Sequence, residues 1–420
     1  MPQFIIQGGI PLQGSLHIHG SKNASLPILA ATLLTDESCV LHNVPDISDV
    51  HAFIDILKGV GGEVSFEQGT VHVRTEKIKN TTASPELVKH MRASILLMGP
   101  LLARHGEIEL AFPGGCVLGK RSIHAHTHAF TKLGAEIIEK EFAVQARRKK
   151  LKGTHVLMSE ASVTATENAV MVAVLAEGKT TIHWAAMEPH VQDLCQFLVK
   201  MGAKIEGMGT HTLVIHGVEK LHGAEYTVTS DYLEAGTLAV AALLTRGEVT
   251  LQGIVPGHLD SFWQKLEEVG ARFEIKGDCV TLKPLPKGEY FKPVEQLKTA
   301  VFPGFATDLQ APFSILLTQA KGKSRIFETL FEGRLNYLSE LEKMGAKVDL
   351  HNPQQATIYG PTQLQGASIK SCDIRAGAAM VLAALAAQGT THIHDIDYID
   401  RGYEKLDECL RSLGAKIERE

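Results

Sequence analysis

The sequence predicts an α/β protein of two domains, each assembled from three units of about 70 residues. Three observations carry this. A helix end followed by Gly-Ala or Gly-Gly and then an alternating run recurs six times, at Gly61, Gly134, Gly202, Gly270, Gly345 and Gly414. An apolar helix running into a Gly turn and a β-branched strand recurs with the same period, clearest at 176–184, 245–253, 320–328 and 387–395, with a shorter relative at 103–112. A short polar patch precedes each apolar helix, in the same phase.

Each element has a physical reason. A glycine at the end of a helix supplies the positive φ that stops it, and the Ala-Lys-Ile type run that follows alternates as a half-buried strand does. The helices at 25–34, 93–104, 168–176, 235–244, 309–320 and 376–387 are apolar nearly all round, which places them inside. The helices before each Gly-Ala are amphipathic and belong on the outside. Units of this size exceed the 20–45 residues usual for a solenoid and can each close a helix–sheet layer, so six of them suit two domains of three.

Composition excludes several classes. The chain of 420 residues is 44% hydrophobic and 21% charged, which is ordinary for a folded protein. Its longest apolar stretches, 93–103 and 376–387, fall short of the ~18–20 residues of a membrane span. The first residues, MPQFIIQGG, lack the features of a secretion signal, so a cytoplasmic protein is expected. Net charge is −5 without a long basic run, which argues against nucleic acid as a partner. Cys39, Cys116, Cys195, Cys279, Cys372 and Cys409 are scattered singly, as reduced thiols and not a disulfide or zinc framework.

The polar patches are the candidate site. They are Lys22-Asn23, Arg92, Ser162-Val163-Thr164, Asp231 with Glu234, Thr307-Asp308, and Asp373-Ile374-Arg375. A helix N-terminus presents unpaired N–H groups and attracts anions. Taken singly, Ser162, Thr307 and Asp231 are best explained as ordinary caps. Lys22, Arg92 and Arg375 cap poorly and are disfavoured by the dipole, so their recurrence points to an anionic ligand at helix ends. Arg334 and Arg401 extend this set toward several phosphates and carboxylates.

The loop FPGGCVLGKRS, 112–122, displays Cys116 beside Lys120 and Arg121, and nearby cations favour a reactive thiolate. Its Gly114, Gly119 and Lys120 come close to a nucleotide-binding P-loop, but position 121 is Arg where a metal-binding Ser or Thr is required. His124, His126 and His128 would share a face on a strand, and His124 and His128 on a helix. Zinc is the weaker reading, because no Cys or carboxylate partner lies near in sequence.

At these residues the chain resembles the enolpyruvyl transferase superfamily, over essentially its whole length. The segments SKNASLPIL, MRAS, PGGC-x-x-G-x-R, SV-x-AT, D-x-x-EAGT, TDLQ, FE-x-R, D-x-R-A and IDRGYE occur in family order. The Cys loop sets the chain apart from the related shikimate enzymes. The resemblance implies two inside-out α/β barrels of βαβαββ-type repeats, one formed by 22–229 and the other by 1–21 with 230–420, with ligands in the cleft near the chain crossings. It implies transfer of the enolpyruvyl group from phosphoenolpyruvate to the 3′-hydroxyl of UDP-N-acetylglucosamine, the first committed step of peptidoglycan synthesis, with no metal or organic cofactor.

By the same resemblance Cys116 is the general acid at C3 of phosphoenolpyruvate and Asp308 the base near the sugar hydroxyl. Lys22, Arg92, Arg121 and Arg401 would hold phosphate and carboxylate. Asn23, Arg334 and the Ser162, Val163, Thr164 segment correspond to contacts with the UDP-sugar, joined by Asp231 and Phe331. Asp373 and Arg375 match positions near the reacting centre. The chain departs from the family pattern at Ser122-Ile123-His124, where Pro-x-Asp is usual and the uracil is contacted. It departs also at Glu160, Tyr232 and Gly333, where Lys, Arg or Lys, and Asn are common. The phosphoenolpyruvate half is thus intact and the nucleotide half altered. A paralogue with a different nucleotide or sugar acceptor is the alternative, and a non-catalytic nucleotide-sugar binder a third reading.

Overall fold

The computed structural model describes residues 2–81, 91–112 and 122–420. It divides into two compact units, one of residues 2–19 with 230–420 and the other of the described residues between 20 and 229. Each unit has its own hydrophobic core.

The strands form six separate sheets, five of four strands and one of three described strands. The sheet of residues 155–216 shows the common plan. Strands Lys204–Glu206 and Thr212–His216 form an antiparallel hairpin, Lys179–His183 pairs antiparallel with the second of them, and His155–Leu157 adds in parallel at the edge. Lys179–His183 alternates exposed and buried, the pattern of a sheet with one wet face. The chain also returns on itself. Strand Gln3–Gln7 lies between Thr390–His394 and Lys416–Arg419. Gln13–His17 pairs with Glu248–Gln252, and Glu225–Thr227 pairs with Cys39–His42.

All six glycines of the repeating Gly motif have positive φ, between 75° and 110°. A side chain there would be strained, so the glycine ends each outer helix where the pattern requires. The outer helices are one-faced. In Pro189–Lys200, Val191, Leu194 and Leu198 are buried while Gln196 and Lys200 are exposed. The inner helices are not one-faced: every residue of Tyr232–Leu244 is buried. In the unit that contains it, this helix packs against Gln310–Leu317 and Ile374–Ala386, and these two pack on each other. In the other unit Lys22–Ala31 and Val163–Ala173 lie against the segment 92–105.

That segment departs from the single apolar helix its sequence predicts. It runs as a 3₁₀ turn over Arg92–Leu97, one α turn over Met98–Pro100 and a π turn over Leu101–His105. Two causes act. Pro100 has no N–H to give. The side-chain amide of Asn168 enters the backbone: its Nδ2 donates to the Ile95 carbonyl at 2.9 Å and its Oδ1 accepts from the Gly99 N–H at 2.7 Å. These are the two groups that an α-helix would join to each other. A Cβ at Gly99 would come within 2.7 Å of Asn168 Oδ1, so the insertion requires glycine there.

Candidate active site

All six polar patches stand at helix starts. Lys22 opens Lys22–Ala31, Arg92 opens Arg92–Leu97, and Ser162 is the residue before Val163–Ala173. Asp231 precedes Tyr232–Leu244, Thr307 opens Thr307–Leu309, and Asp373 precedes Ile374–Ala386. The capping explanation divides them. Asp231 accepts from the N–H groups of Leu233 and Glu234, and Asp373 from those of Arg375 and Ala376, so these two carboxylates act as caps. Ser162 makes no capping bond through its side chain, which leaves its hydroxyl for another partner, and Thr307 is the first residue of its helix and not the cap, which is Ala306.

In the unit containing 230–420 the candidate residues converge on Asp308. Arg334 donates from Nη2 to Asp308 Oδ1, and Arg375 Nε lies 3.3 Å from Oδ2. The two arginine side chains are about 5–6% exposed and the carboxylate 26%, so Asp308 is the open member of the cluster. The guanidinium of Arg375 lies over the Tyr403 ring at 5.0 Å, and its Nη1 is buried without a hydrogen-bond partner among the described residues. A buried unpaired donor costs about 1–3 kcal/mol, a cost that an incoming anion would relieve. Arg334 stacks on Phe331 at 5.4 Å. Arg401 follows the short helix Asp397–Asp400 and is half-buried.

In the other unit Lys22 is 8% exposed and forms an ion pair of 2.6 Å with Asp49, which offsets the cost of a lysine at a helix start. Arg92 donates to the Ser122 carbonyl at 3.2 Å. His126 lies 2% exposed behind the Ser162-Val163-Thr164 turn. Its Nδ1 is 2.9 Å from Asn168 Nδ2, which can only donate, so Nδ1 is the acceptor and the proton sits on Nε2, 3.2 Å from Thr164 Oγ1. Burial, with a smaller contribution from the Arg92 guanidinium, pushes this imidazole down to about 3. Thr164 therefore accepts from His126 and keeps its own proton for another partner. Asn23 and Val163 are half-buried at their helix starts.

The three histidines do not gather: His124–Lys132 is a helix, His124 is exposed, His126 is inside and bonded to Asn168, and the His124 and His128 rings are 5.9 Å apart. No group of three metal-capable side chains occurs among the described residues. Glu160 is exposed and Tyr232 is buried, so Tyr232 belongs to the core. Cys116, Arg121 and the near-P-loop residues Gly114, Gly119 and Lys120 lie outside the described residues. No helix among the described residues is long and apolar enough to cross a membrane.

Sequence reasoning missed Glu328, Asn168 and Asp49. Glu328 is fully buried and bonds to Thr307, while Asn168 holds His126. None stands in a repeating patch, and only tertiary contacts bring them to the site.

Comparison with known proteins follows the same lines. The family model of EPSP synthase (3-phosphoshikimate 1-carboxyvinyltransferase) matches residues 6–410. A UDP-N-acetylglucosamine 1-carboxyvinyltransferase of Methylacidiphilum infernorum is 46% identical, with 100% of this chain and 99% of that protein covered. Proteins of the same name from Koribacter versatilis and Coxiella burnetii are 44% and 45% identical, each covering 100% of this chain and 96% of its own length. Among solved structures, the enolpyruvyl transferase NikO from Streptomyces tendae superposes with a TM-score of 0.89 at 25% identity, covering 100% of this chain and 98% of that one. An EPSP synthase from Acinetobacter baumannii shares the fold, with a TM-score of 0.73 at 19% identity over the full length of both chains. The chain belongs to the EPSP synthase (3-phosphoshikimate 1-carboxyvinyltransferase) family, and within it to the group of the UDP-N-acetylglucosamine 1-carboxyvinyltransferases.

Proposed function

We propose that this protein transfers the enolpyruvyl group of phosphoenolpyruvate to the 3′-hydroxyl of UDP-N-acetylglucosamine and releases phosphate, the step that commits the sugar to peptidoglycan. In this reading it acts in the cytoplasm. The observation that carries it is Asp308, an accessible carboxylate held on both oxygens by Arg334 and Arg375 at a helix start. Identity near 45% to carboxyvinyltransferases along the whole chain supports the acceptor.

The chemistry assigns the residues. The hydroxyl oxygen adds to C2 of phosphoenolpyruvate while its proton passes to Asp308, and Cys116 delivers a proton to C3. Phosphate then leaves C2, a C3 proton returns to the protein, and the double bond is restored. The reaction balances without a redox or metal partner. Lys22, Arg92, Arg121 and Arg401 would hold the phosphate and carboxylate and meet the charge that develops on the leaving group. Asn23, Ser162, Val163, Thr164, Phe331 and Arg334 would hold the UDP-sugar, with the Thr164 hydroxyl as a donor to it. Asp231, Asp373 and Arg375 would line the reacting centre, the two carboxylates by fixing the helix starts. We also read the two units as the two transferase domains, each with three repeats wrapped as sheets around three inner helices. The division of the six sheets between the units and the mutual packing of the inner helices support this reading.

The test is release of phosphate from phosphoenolpyruvate with a panel of UDP-sugars and UMP. Release with UDP-N-acetylglucosamine alone is expected. Release only with another acceptor would assign a paralogue, whose motive is the altered segment Ser122-Ile123-His124. Binding without release would make the protein a nucleotide-sugar binder.

A further inference from the structure

We propose that Glu328 and Thr307 are positioning residues that fix the arginine on the catalytic base, an assignment that rests on the base role given above to Asp308. The argument is one of hydrogen-bond polarity. Glu328 is 0% exposed and appears in no ion pair within 4 Å among the described residues. A buried carboxylate of this kind persists only where donors satisfy it. Its Oε1 accepts from the N–H groups of Leu330, at 2.9 Å, and Phe331, at 3.3 Å, which closes the turn that carries Phe331 and Arg334. Its Oε2 accepts the Thr307 hydroxyl at 2.8 Å.

A carboxylate is an acceptor only, so the Thr307 proton is committed to Glu328 and the Thr307 lone pairs face outward. One of them accepts from Arg334 Nε at 3.2 Å, and the same guanidinium reaches Asp308 through Nη2. The direction of donation is therefore fixed along the chain from Arg334 to Thr307 to Glu328. Thr307 and Asp308 are neighbours in sequence, and Phe331 and Arg334 share the turn held by Glu328. One buried carboxylate thus anchors both sides of the base–arginine pair. Capping does not explain Thr307, because the cap position before this helix is Ala306 and the Thr307 hydroxyl donates to Glu328.

The test uses the full-length protein, with phosphate release measured against both substrates. Thr307→Val keeps the size and removes the hydroxyl. It should lower kcat roughly 10- to 100-fold, the scale of a misplaced catalytic group, while Thr307→Ser restores most of the loss. Glu328→Gln should lower kcat in the same direction, and the double variant Thr307→Val/Glu328→Gln should be no worse than the poorer single one, because both interrupt one chain. Wild-type kcat in Thr307→Val, equal impairment of the Ser and Val variants, or losses that multiply in the double variant would overturn the assignment. If Glu328→Gln does not fold, the Thr307 pair decides alone. Asp308→Asn measured alongside separates the two levels. A low kcat there with a normal Thr307→Val removes the relay and leaves the base, whereas full activity of Asp308→Asn, or a wild type that releases no phosphate, removes both.

Discussion

Replacement of His126 by Gln should change how stability depends on pH, by an amount the structure sets. The imidazole is 2% exposed, accepts from Asn168 and faces Arg92, and is pushed down to about 3 from an ordinary 6.5. The unfolded chain takes up a proton as pH falls through 6.5 that the folded chain refuses until about pH 3. Stability is therefore complete above pH 6.5 and declines below it, by about 1.4 kcal/mol per pH unit. The full difference of 3.5 units corresponds to about 5 kcal/mol, and the 1.5 units between 6.5 and 5 to about 2 kcal/mol. A glutamine has no such proton. The gap between wild type and His126→Gln, whatever its size at pH 8, should be constant down to about 6.5 and then shift against the wild type by about 2 kcal/mol at pH 5. The protein has two tryptophans, Trp184 in the unit of His126 and Trp263 in the other, so urea unfolding in a Trp263→Phe background reads the correct unit. A gap that is the same at pH 8, 6 and 5, or an imidazole resonance of His126 that titrates near 6, would refute the buried neutral tautomer and with it the donor assigned to Thr164.

Three further outcomes are expected. Cys116→Ala should abolish phosphate release with an unchanged melting temperature, and an alkylating phosphoenolpyruvate mimic such as fosfomycin should label Cys116 alone by peptide mass mapping. Lost hydration raises the other five thiols, to about 12 for Cys195 and Cys409 and about 11 for Cys372, with Cys39 and Cys279 also raised. Asp308→Asn should lower kcat by roughly 10²–10⁴-fold, the usual general-base contribution, with a much smaller change in UDP-sugar affinity by calorimetry. His19 is raised to about 9, chiefly by its 2.8 Å hydrogen bond to Glu234. The pair stabilises fully below pH 6.5 and is lost as pH rises through 9, so the melting-temperature gap between wild type and Glu234→Gln should close between pH 7 and pH 10.

What the sequence discloses here is whatever repeats or obeys a local rule. The six glycines stand where a helix must stop, and each has the φ that only glycine adopts cheaply. The helix-start patches were legible because lysine and arginine are wrong for that position unless something negative compensates. The irregular 92–105 segment was not legible. An apolar run there reads as a helix, and nothing local announces that Asn168, some seventy residues on, will take the helix's own donor and acceptor. His126 illustrates the same limit. In sequence it belongs to an alternating histidine run that looks like a metal motif, and only burial against Asn168 turns it into a neutral orienting group. Glu328 sits in a strand-to-turn stretch where a glutamate looks like surface, and its role depends on Thr307 twenty-one residues away.

The placement of strand Gln3–Gln7 between Thr390–His394 and Lys416–Arg419 bears on how the protein is made. This segment leaves the ribosome well before its neighbours, both of which are translated almost four hundred residues later. At about 5–20 residues per second the wait is roughly 20–80 seconds. Phe4 and Ile6, almost wholly enclosed in the finished protein, are in contact with water or with chaperones during that time. The described strands of 20–229, by contrast, pair only with one another, so none of them waits for a strand of 230–420. Strand Gln3–Gln7 therefore stays without its sheet through most of this synthesis, and Thr390–His394 and Lys416–Arg419 are the segments that end its wait.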